Sequence, residues 1–202
     1  MYEFTVLKNT SKIYYNGSVW ESNRCGQFKI LAKSNKAKIN RNGTVCYPYY
    51  LCEFPDRTVI IAHHDSIKHG MVVNPYYPSV YGVGYIGIGD WKPTINRRKT
   101  KEYMIWSCML QRCYSDSFQI RNPQYRKCSV DPRWFCFQTF CKDIMLLKNY
   151  RQWKENDGWE FDKDYKVFGN TIYSKFTCMF LLKTDNLTEM NQRKIQKKVV
   201  EK

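Results

Sequence analysis

The sequence predicts an α+β fold built from two modules, and three patterns lead to this prediction. Short segments rich in β-branched and aromatic residues, separated by turn signals, fill residues 19–75. From Thr100 onward the apolar residues recur with a helical period. A stretch rich in glycine and proline lies between the two patterns. We therefore expect a small β-rich module at residues 1–80, a linker at 81–101 and a mixed helical and β module at 102–202.

The first module is expected to contain three strands, at residues 26–31, 50–54 and 58–64. The dipeptide Asn42-Gly43 is a hairpin-turn signal, and residues 55–58 (PDRT) are typical of a second turn. Strands this few cannot form a β-sandwich. We therefore expect them to close on themselves as a small, open, barrel-like module.

All three histidines of the chain, His63, His64 and His69, lie in one short stretch at the end of the third predicted strand. A metal site would need a third and a fourth ligand, which the local sequence does not supply cleanly. We therefore expect the strand to end in a short polar turn that is capped by Asp65 and Ser66.

Gly82, Gly84 and Gly87 form a G-x-G-x-x-G pattern. In dinucleotide-binding proteins this pattern joins a buried strand to the start of a helix. Here the turn-rich residues 74–81 precede the first glycine, and a proline and a basic run follow the last. The context of a dinucleotide site is missing, so the pattern indicates a flexible joint between the two modules.

The second module is expected to begin with a helix at residues 101–114, because its apolar residues fall on one face. A second helix is predicted at 133–149, where aromatic residues form an inward-facing stripe. Residues 158–174 are typical of a β-hairpin, residues 175–184 of a strand, and residues 185–198 of a polar, basic helix or tail. The predicted order is helix, loop, helix, two strands and helix.

The charge of the chain is its most informative global property. Lys and Arg number 33 against 18 Asp and Glu, a net charge of +15, and both halves carry the excess. A field of this sign attracts polyanions, among which nucleic acid is the most common inside a cell. A solvated basic surface would have the same composition. The candidate phosphate contacts are Lys36, Lys38, Arg41, Lys92, Arg97, Arg98, Lys99, Lys101, Arg112, Arg126, Lys127, Arg193 and Lys194.

Two further patterns concern the cellular compartment. No apolar run approaches the roughly 18 residues of a membrane span, and the N-terminal residues lack the apolar segment of a secretion signal. The nine cysteines are an odd number, which favours reduced thiols over a disulfide framework. We expect a cytoplasmic protein that does not bind membranes.

The second module also carries a set of residues with a recognisable spacing. Its members are Tyr103, Trp106, Met109, Arg112, Cys113, Tyr114, Tyr125, Cys128, Val130, Trp134, Phe137, Phe140, Asp162, Lys163, Asp164, Gly169, Asn170, Tyr173, Ser174 and Cys178. The set resembles a phage-rich group of HNH-endonuclease-like proteins, and the resemblance covers residues 80–187, about half of the chain. The first module and its junction also look like the front half of such proteins.

The resemblance implies an HNH-like module that binds double-stranded DNA and can cleave it with a divalent ion, Mg²⁺ or Mn²⁺. In an HNH site a histidine activates water, but this chain has no histidine after His69. Lys163 stands where that base is expected. The implied catalytic candidates are Asp162, Lys163 and Asn170, with Asp162 and Asp164 as metal ligands. The same side chains can instead cap and tie a hairpin.

Three cysteines, Cys113, Cys128 and Cys178, match positions of the family pattern. They are expected to meet in space, either as a buried cluster of thiols or as the ligands of a structural zinc ion.

Three functions therefore remain open at the level of sequence. The first is an HNH-like endonuclease, free-standing or of the homing type. The second is a DNA-binding regulator, such as a repressor, that keeps the scaffold without cleavage. The third is an RNA-binding protein, because abundant aromatic residues suit base stacking. The missing histidine favours the second function, and the acidic residues near Asn170 favour the first.

Overall fold

The chain divides into two compact units, Met1–Tyr77 and Pro78–Lys202. A computed structural model describes residues 16–167 and 169–188. Each unit combines helix with small β-sheets, which confirms the α+β class. The predicted residues 1–15 of the first module, and Arg193 and Lys194 among the predicted phosphate contacts, lie outside the described residues.

The first unit is built on an antiparallel sheet with the strand order β1-β2-β5-β6. The three strands predicted from the sequence correspond to β2, β5 and β6, and their bounds agree to within two residues. The elements are β1 (Val19–Ser22), β2 (Gly26–Lys33), β3 (Lys38–Ile39), β4 (Val45–Cys46), β5 (Tyr49–Glu53), β6 (Val59–His63) and helix α1 (His64–Lys68).

The predicted barrel is wrong, because no sheet of the described residues closes on itself. The four-stranded sheet is open, and its ends β1 and β6 are not paired with each other. Helix α1 takes the place of a closing strand: its Ile67 is fully buried in one core with Trp20, Phe28 and Ile30. A helix on one face of an antiparallel sheet buries the apolar side chains without closure.

The hairpin predicted from Asn42-Gly43 is present between β3 and β4. The Asn40 backbone N–H donates to the Thr44 carbonyl (2.9 Å), and Gly43 has a φ of 79°. Only glycine, and to a lesser degree Asn or Asp, adopts this left-handed conformation without strain.

In the described residues the second unit contains four named helices, a further helical segment at residues 183–188 and several short strands. The predicted helix at 101–114 is confirmed, and the Thr100 hydroxyl caps it by accepting the Tyr103 N–H (3.3 Å). The elements are β7 (Thr94–Ile95), β8 (Arg98–Lys99), α2 (Lys101–Tyr114), α3 (Asp116–Arg121), β9 (Ser129–Val130), α4 (Phe137–Ile144), α5 (Tyr150–Glu155), β10 (Trp159–Asp162), β11 (Ile172–Tyr173) and β12 (Met179–Leu182); residues 183–188 are helical.

The predicted helix at 133–149 is broken into pieces. A 3-10 turn occupies Pro132–Phe135, and the backbone is extended at Cys136, where α4 begins. Asn149 then adopts a left-handed conformation (φ 65°) and separates α4 from α5. Asparagine tolerates this conformation better than most residues do, so Asn149 is a suitable helix boundary. The apolar stripe continues across this boundary, and for that reason the sequence pattern did not reveal it.

The predicted hairpin at 158–174 is also wrong. Strand β10 pairs antiparallel with β12, and β11 pairs parallel with β9. Phe161 lies directly opposite Phe180 across the β10–β12 pair, with ring centroids 5.2 Å apart. This aromatic pair, in which Phe180 is fully buried, explains the long-range pairing, since cross-strand aromatic contacts stabilise a sheet. Most of the predicted 185–198 helix lies outside the described residues.

The glycine-rich segment that contains Gly82, Gly84 and Gly87 was expected to be a flexible joint, but it packs as a part of the second unit. The Tyr85 N–H donates to the Phe135 carbonyl (2.9 Å), and the Phe137 N–H donates back to Tyr85 (2.9 Å). The Gln138 amide bonds both the N–H (3.0 Å) and the carbonyl (2.8 Å) of Trp91. Gly84, where any Cβ would meet the Leu110 side chain, belongs to the same tightly packed segment.

The structure also bears on the state of the cysteines and on membrane-spanning helices. All nine cysteines are free thiols. Among the described residues, no helix combines the length and the apolar character that crossing a membrane requires.

Replacing Gly84 by alanine is expected to destabilise the second unit by about 1–3 kcal/mol, because the added methyl group overpacks the contact with Leu110 and Trp106. The matched control is Gly82→Asn. Gly82 has a left-handed φ of 74° that asparagine tolerates, and no atom lies within 4 Å of its Cβ position. Urea titrations followed by tryptophan fluorescence measure both changes. Equal stability of Gly84→Ala and the wild type would show that the segment does not pack as described.

Candidate functional site

A cleft of about 650 Å³ in the second unit contains most of the predicted catalytic residues. Its volume is typical of sites that bind small ligands. Helix α2 and strands β10 and β11 contribute its walls. The residues that matter to its chemistry are Arg112, Tyr125, Cys128, Trp159, Glu160, Phe161, Asp162, Lys163, Asp164 and Tyr173.

Asp162 is the last residue of strand β10 and lines the cleft. Its Oδ1 accepts the backbone N–H groups of Asp164 (2.9 Å) and Tyr165 (2.7 Å). Burial raises the pKa of the Asp162 carboxyl; these N–H groups oppose the rise only in part, and the neighbouring Asp164 carboxylate adds to it. Asp162 is therefore easier to protonate than an ordinary aspartate, a property shared by carboxyls that act as general acids or bases.

Asn170 holds the loop that follows β10. Its Nδ2 donates to the carbonyls of Lys163 (2.7 Å) and Ile172 (2.7 Å), and its Oδ1 accepts the Ile172 N–H (3.3 Å). Both amide hydrogens and the carbonyl oxygen are thus used within the loop. The geometry shows a structural part for Asn170, and the catalytic part implied by the family resemblance stays a prediction.

Two cations of the cleft contact one tyrosine. The Lys163 Nζ donates to the Asn170 carbonyl (3.0 Å), lies 3.5 Å from Asp164 Oδ2 and stands 5.6 Å from the Tyr173 ring centroid. The Arg112 Nη1 lies 3.5 Å from the Tyr173 hydroxyl. Among the described residues, Arg112 forms no ion pair with an acidic side chain, so its charge is open to an anion in the cleft.

Of the two alternatives for the three cysteines, the structure shows buried thiols, and the zinc ion stays a prediction. Cys113, Cys128 and Cys178 do not bring three ligand atoms within 4.8 Å of one another, as a metal would require. Cys113 belongs to α2, Cys128 precedes β9 and Cys178 precedes β12, and all three are buried. Burial raises the pKa of the Cys113 and Cys178 thiols to about 12, so they remain protonated and pack as small apolar groups.

The predicted magnesium site is only partly assembled. The Asp162 and Asp164 carboxylates influence each other, but no third His, Cys, Asp or Glu of the described residues joins them within 4.8 Å. All three histidines belong to the first unit, so the described part of the second unit offers no histidine base.

The predicted phosphate contacts of the described residues are mostly exposed. Arg112 is the exception that faces the cleft, and Lys101 is committed elsewhere: its Nζ lies within 3.5 Å of the Trp153, Lys154 and Asn156 carbonyls and of Asp157. The exposed remainder consists of Lys36, Lys38, Arg41, Lys92, Arg97, Arg98, Lys99, Arg126 and Lys127.

The aromatic wall of the cleft was not predicted from the sequence. Trp159 and Phe161 alternate along β10 and both line the cleft. The alternation Trp-x-Phe is the signal that indicates a shared face, since side chains two apart on a strand point the same way.

Comparisons with known proteins add no relatives: no protein-family model, no curated protein and no solved structure matches this chain. Any functional conclusion therefore depends on the residues described above.

The raised pKa of Asp162 predicts a pH-dependent effect of the isosteric change Asp162→Asn. The folded state binds the proton more tightly than the unfolded chain does. Stability from this group is therefore full at low pH and lost as the pH rises through the folded pKa. Asp162→Asn keeps the Oδ1 acceptor, so we expect it to be more stable than the wild type at neutral pH. The difference should disappear below about pH 3.9, the ordinary aspartate pKa.

The control is Asp157→Asn, at a side chain that is fully exposed. Urea titrations across this pH range measure the free energy of unfolding of each protein. A less stable Asp162→Asn variant at neutral pH would mean that the ionised carboxylate makes a favourable contact in the folded state.

Proposed function

We propose that this protein binds double-stranded DNA through surface cations that its own acidic residues leave uncompensated. The observation that carries the proposal is the pattern of ion pairs. Among the residues predicted to contact phosphates, Lys101 alone pairs with an acidic side chain in the described part of the chain. The remaining ones keep their charge, in a protein of net charge +15.

The acidic side chains pair with a different set of cations. Glu53 contacts Lys29 (3.0 Å) and Arg57 (3.5 Å), and Glu102 contacts Lys154. Cations without such partners bind phosphates with release of the counterions that surround DNA. The affinity that results is independent of sequence and depends strongly on salt.

The hairpin formed by β7 and β8 is the best-defined group of these cations. Asn96 and Arg97 occupy the two turn positions, with φ values of 49° and 63°, so the turn has the left-handed geometry of a tight hairpin. Arg97, Arg98 and Lys99 are all exposed. A two-stranded ribbon fits the major groove of B-DNA and can also follow its backbone.

The RNA-binding alternative keeps exposed tyrosines such as Tyr47 and Tyr76 but loses most of its tryptophans. It depends on aromatic side chains that are free to stack on bases, but four of the six tryptophans, Trp20, Trp106, Trp134 and Trp153, are buried. The aromatic wealth of the sequence mainly builds the two cores.

Metal-dependent DNA cleavage is a second candidate function. It is favoured by the adjoining carboxylates of Asp162 and Asp164 in a cleft that also holds Lys163. Two carboxylates can bind Mg²⁺, and Asp162 has the raised pKa that a general base needs. The absence of a cleft histidine and the structural use of Asn170 make binding without cleavage the better-supported function.

The double variant Arg97→Gly with Arg98→Gln tests the hairpin. Glycine suits the left-handed turn and glutamine keeps the side-chain length, so the fold should be preserved. We expect weaker binding to every duplex sequence. The logarithm of the binding constant should also fall less steeply with the logarithm of the salt concentration, by about two in the slope. Fluorescence anisotropy with a labelled duplex at several salt concentrations measures this.

The matched control is Arg57→Ala with Arg133→Ala, which lowers the net charge equally at side chains already paired with Glu53 and Asp143. Its salt slope should stay close to that of the wild type. An equal decrease in both double variants would mean that total charge matters and that the hairpin makes no specific contact. Tighter binding to single-stranded RNA than to duplex DNA would favour the RNA alternative.

Supercoiled plasmid with Mg²⁺ or Mn²⁺, and in parallel with a chelator, tests cleavage on one gel. We expect a mobility shift that does not depend on metal, with the plasmid intact. Metal-dependent nicking that disappears in Asp162→Asn would establish the second candidate function instead. Anisotropy with the same variant shows whether binding survives, which separates loss of chemistry from misfolding.

A further inference from the structure

Three consecutive side chains meet where strand β6 passes into helix α1. The ligand atoms of His63, His64 and Asp65 all lie within 4.8 Å of one another. Asp65 Oδ2 is 3.4 Å from His63 Nδ1, and Asp65 Oδ1 is 3.1 Å from His64 Nε2. Among residues 16–167 and 169–188, no other three His, Cys, Asp or Glu side chains come this close.

These separations suit a transition-metal ion. Zinc binds imidazole nitrogen and carboxylate oxygen at about 2.0–2.2 Å, so the ligand atoms of a tetrahedral site are roughly 3.3–3.6 Å apart. The two nitrogen–oxygen distances are already near that range. We propose that His63, His64 and Asp65 form a binding site for a divalent transition-metal ion, with zinc as the expected occupant.

The backbone explains why three neighbours in sequence can converge. Successive side chains of a continuing strand point to opposite faces. His63 is still extended (φ −73°, ψ 146°), but the chain becomes helical at His64. The change from strand to helix at this residue breaks the alternation. The prediction that Asp65 and Ser66 cap the turn is also corrected, because the cap of α1 is the His63 side chain.

The orientation of the His63 ring suits a ligand. Its Nδ1 accepts the Asp65 backbone N–H (3.2 Å), so a lone pair points toward the Asp65 side and the proton of the neutral ring lies on Nε2. An ion at Nδ1 would replace this long hydrogen bond.

The site is open to ions from solvent. The side chains of His64 and Asp65 are 42% and 63% exposed, and that of His63 is 19% exposed. Three protein ligands leave a tetrahedral ion one further position, which water can fill. The site lies in the first unit and includes no residue of the cleft, so its existence does not depend on the proposed function.

Calorimetric titration of Zn²⁺ into the full-length reduced protein tests the proposal. The variants are His64→Ala and Asp65→Asn, and the control is His69→Ala. His69 lies at the end of the same helix, where its Nδ1 contacts the Asp65 backbone carbonyl (2.7 Å), but it is outside the group of three. The nine thiols are common to all four proteins, so any zinc that they bind cancels in the comparison.

We expect one equivalent of zinc to bind the wild type and His69→Ala at least about tenfold more tightly than either variant. Zinc should also raise the melting temperature of the first two proteins more than that of the variants, because an ion that binds only the folded state stabilises it. Circular dichroism verifies the fold, and the conservative Asp65→Asn change decides the question if His64→Ala unfolds. Unchanged affinity in Asp65→Asn, or an equal loss in His69→Ala, would overturn the proposal.

Discussion

The second unit depends on the buried contact between Trp106 and Trp134. Trp106 donates its indole N–H to the Trp134 carbonyl (2.7 Å), and Trp134 donates its own to Asp143 Oδ2 (2.9 Å). Both indoles are fully buried, and Gly84 lies against the first. Helix α2, the turn before α4 and the glycine-rich segment therefore meet at one point. Because both N–H groups are satisfied, burying two tryptophans adds apolar contact without the cost of an unpaired donor.

The cleft takes its geometry from this core. Phe161 contacts Trp134 (6.2 Å between ring centroids) and pairs with Phe180 across the sheet. That pairing fixes the register of β10 and β12, and with it the position of Asp162 at the strand end. A slip by one residue would send Phe161 to the opposite face and Asp162 toward the core. The carboxylate is therefore partly buried because an aromatic core holds its neighbour, and partial burial is what raises its pKa.

The sequence predicted features that depend on local chemistry and failed on long-range pairing. The helix α2 and the turn at Asn42-Gly43 follow from spacing and turn residues alone. Strand β12 finds its partner far back in the chain, and no local pattern reveals that choice. The candidate site shows the same division. The family resemblance indicated both Asp162 and Asn170, but only the folded loop shows that the Asn170 amide donates to backbone carbonyls.

The most deeply buried acidic residue serves the fold and does not neutralise the exposed cations of the β7–β8 hairpin. Glu102, only 2% exposed, accepts from the Tyr150 hydroxyl (2.8 Å) and pairs with Lys154, which attaches α5 to α2. A carboxylate that is paired inside the fold cannot neutralise the cations of an exposed hairpin such as β7–β8. The free protein therefore bears repulsion among like charges, which opposes its compact state. Under the proposed function a bound polyanion removes this repulsion, so the same excess of cations that weakens the isolated fold favours binding to phosphates.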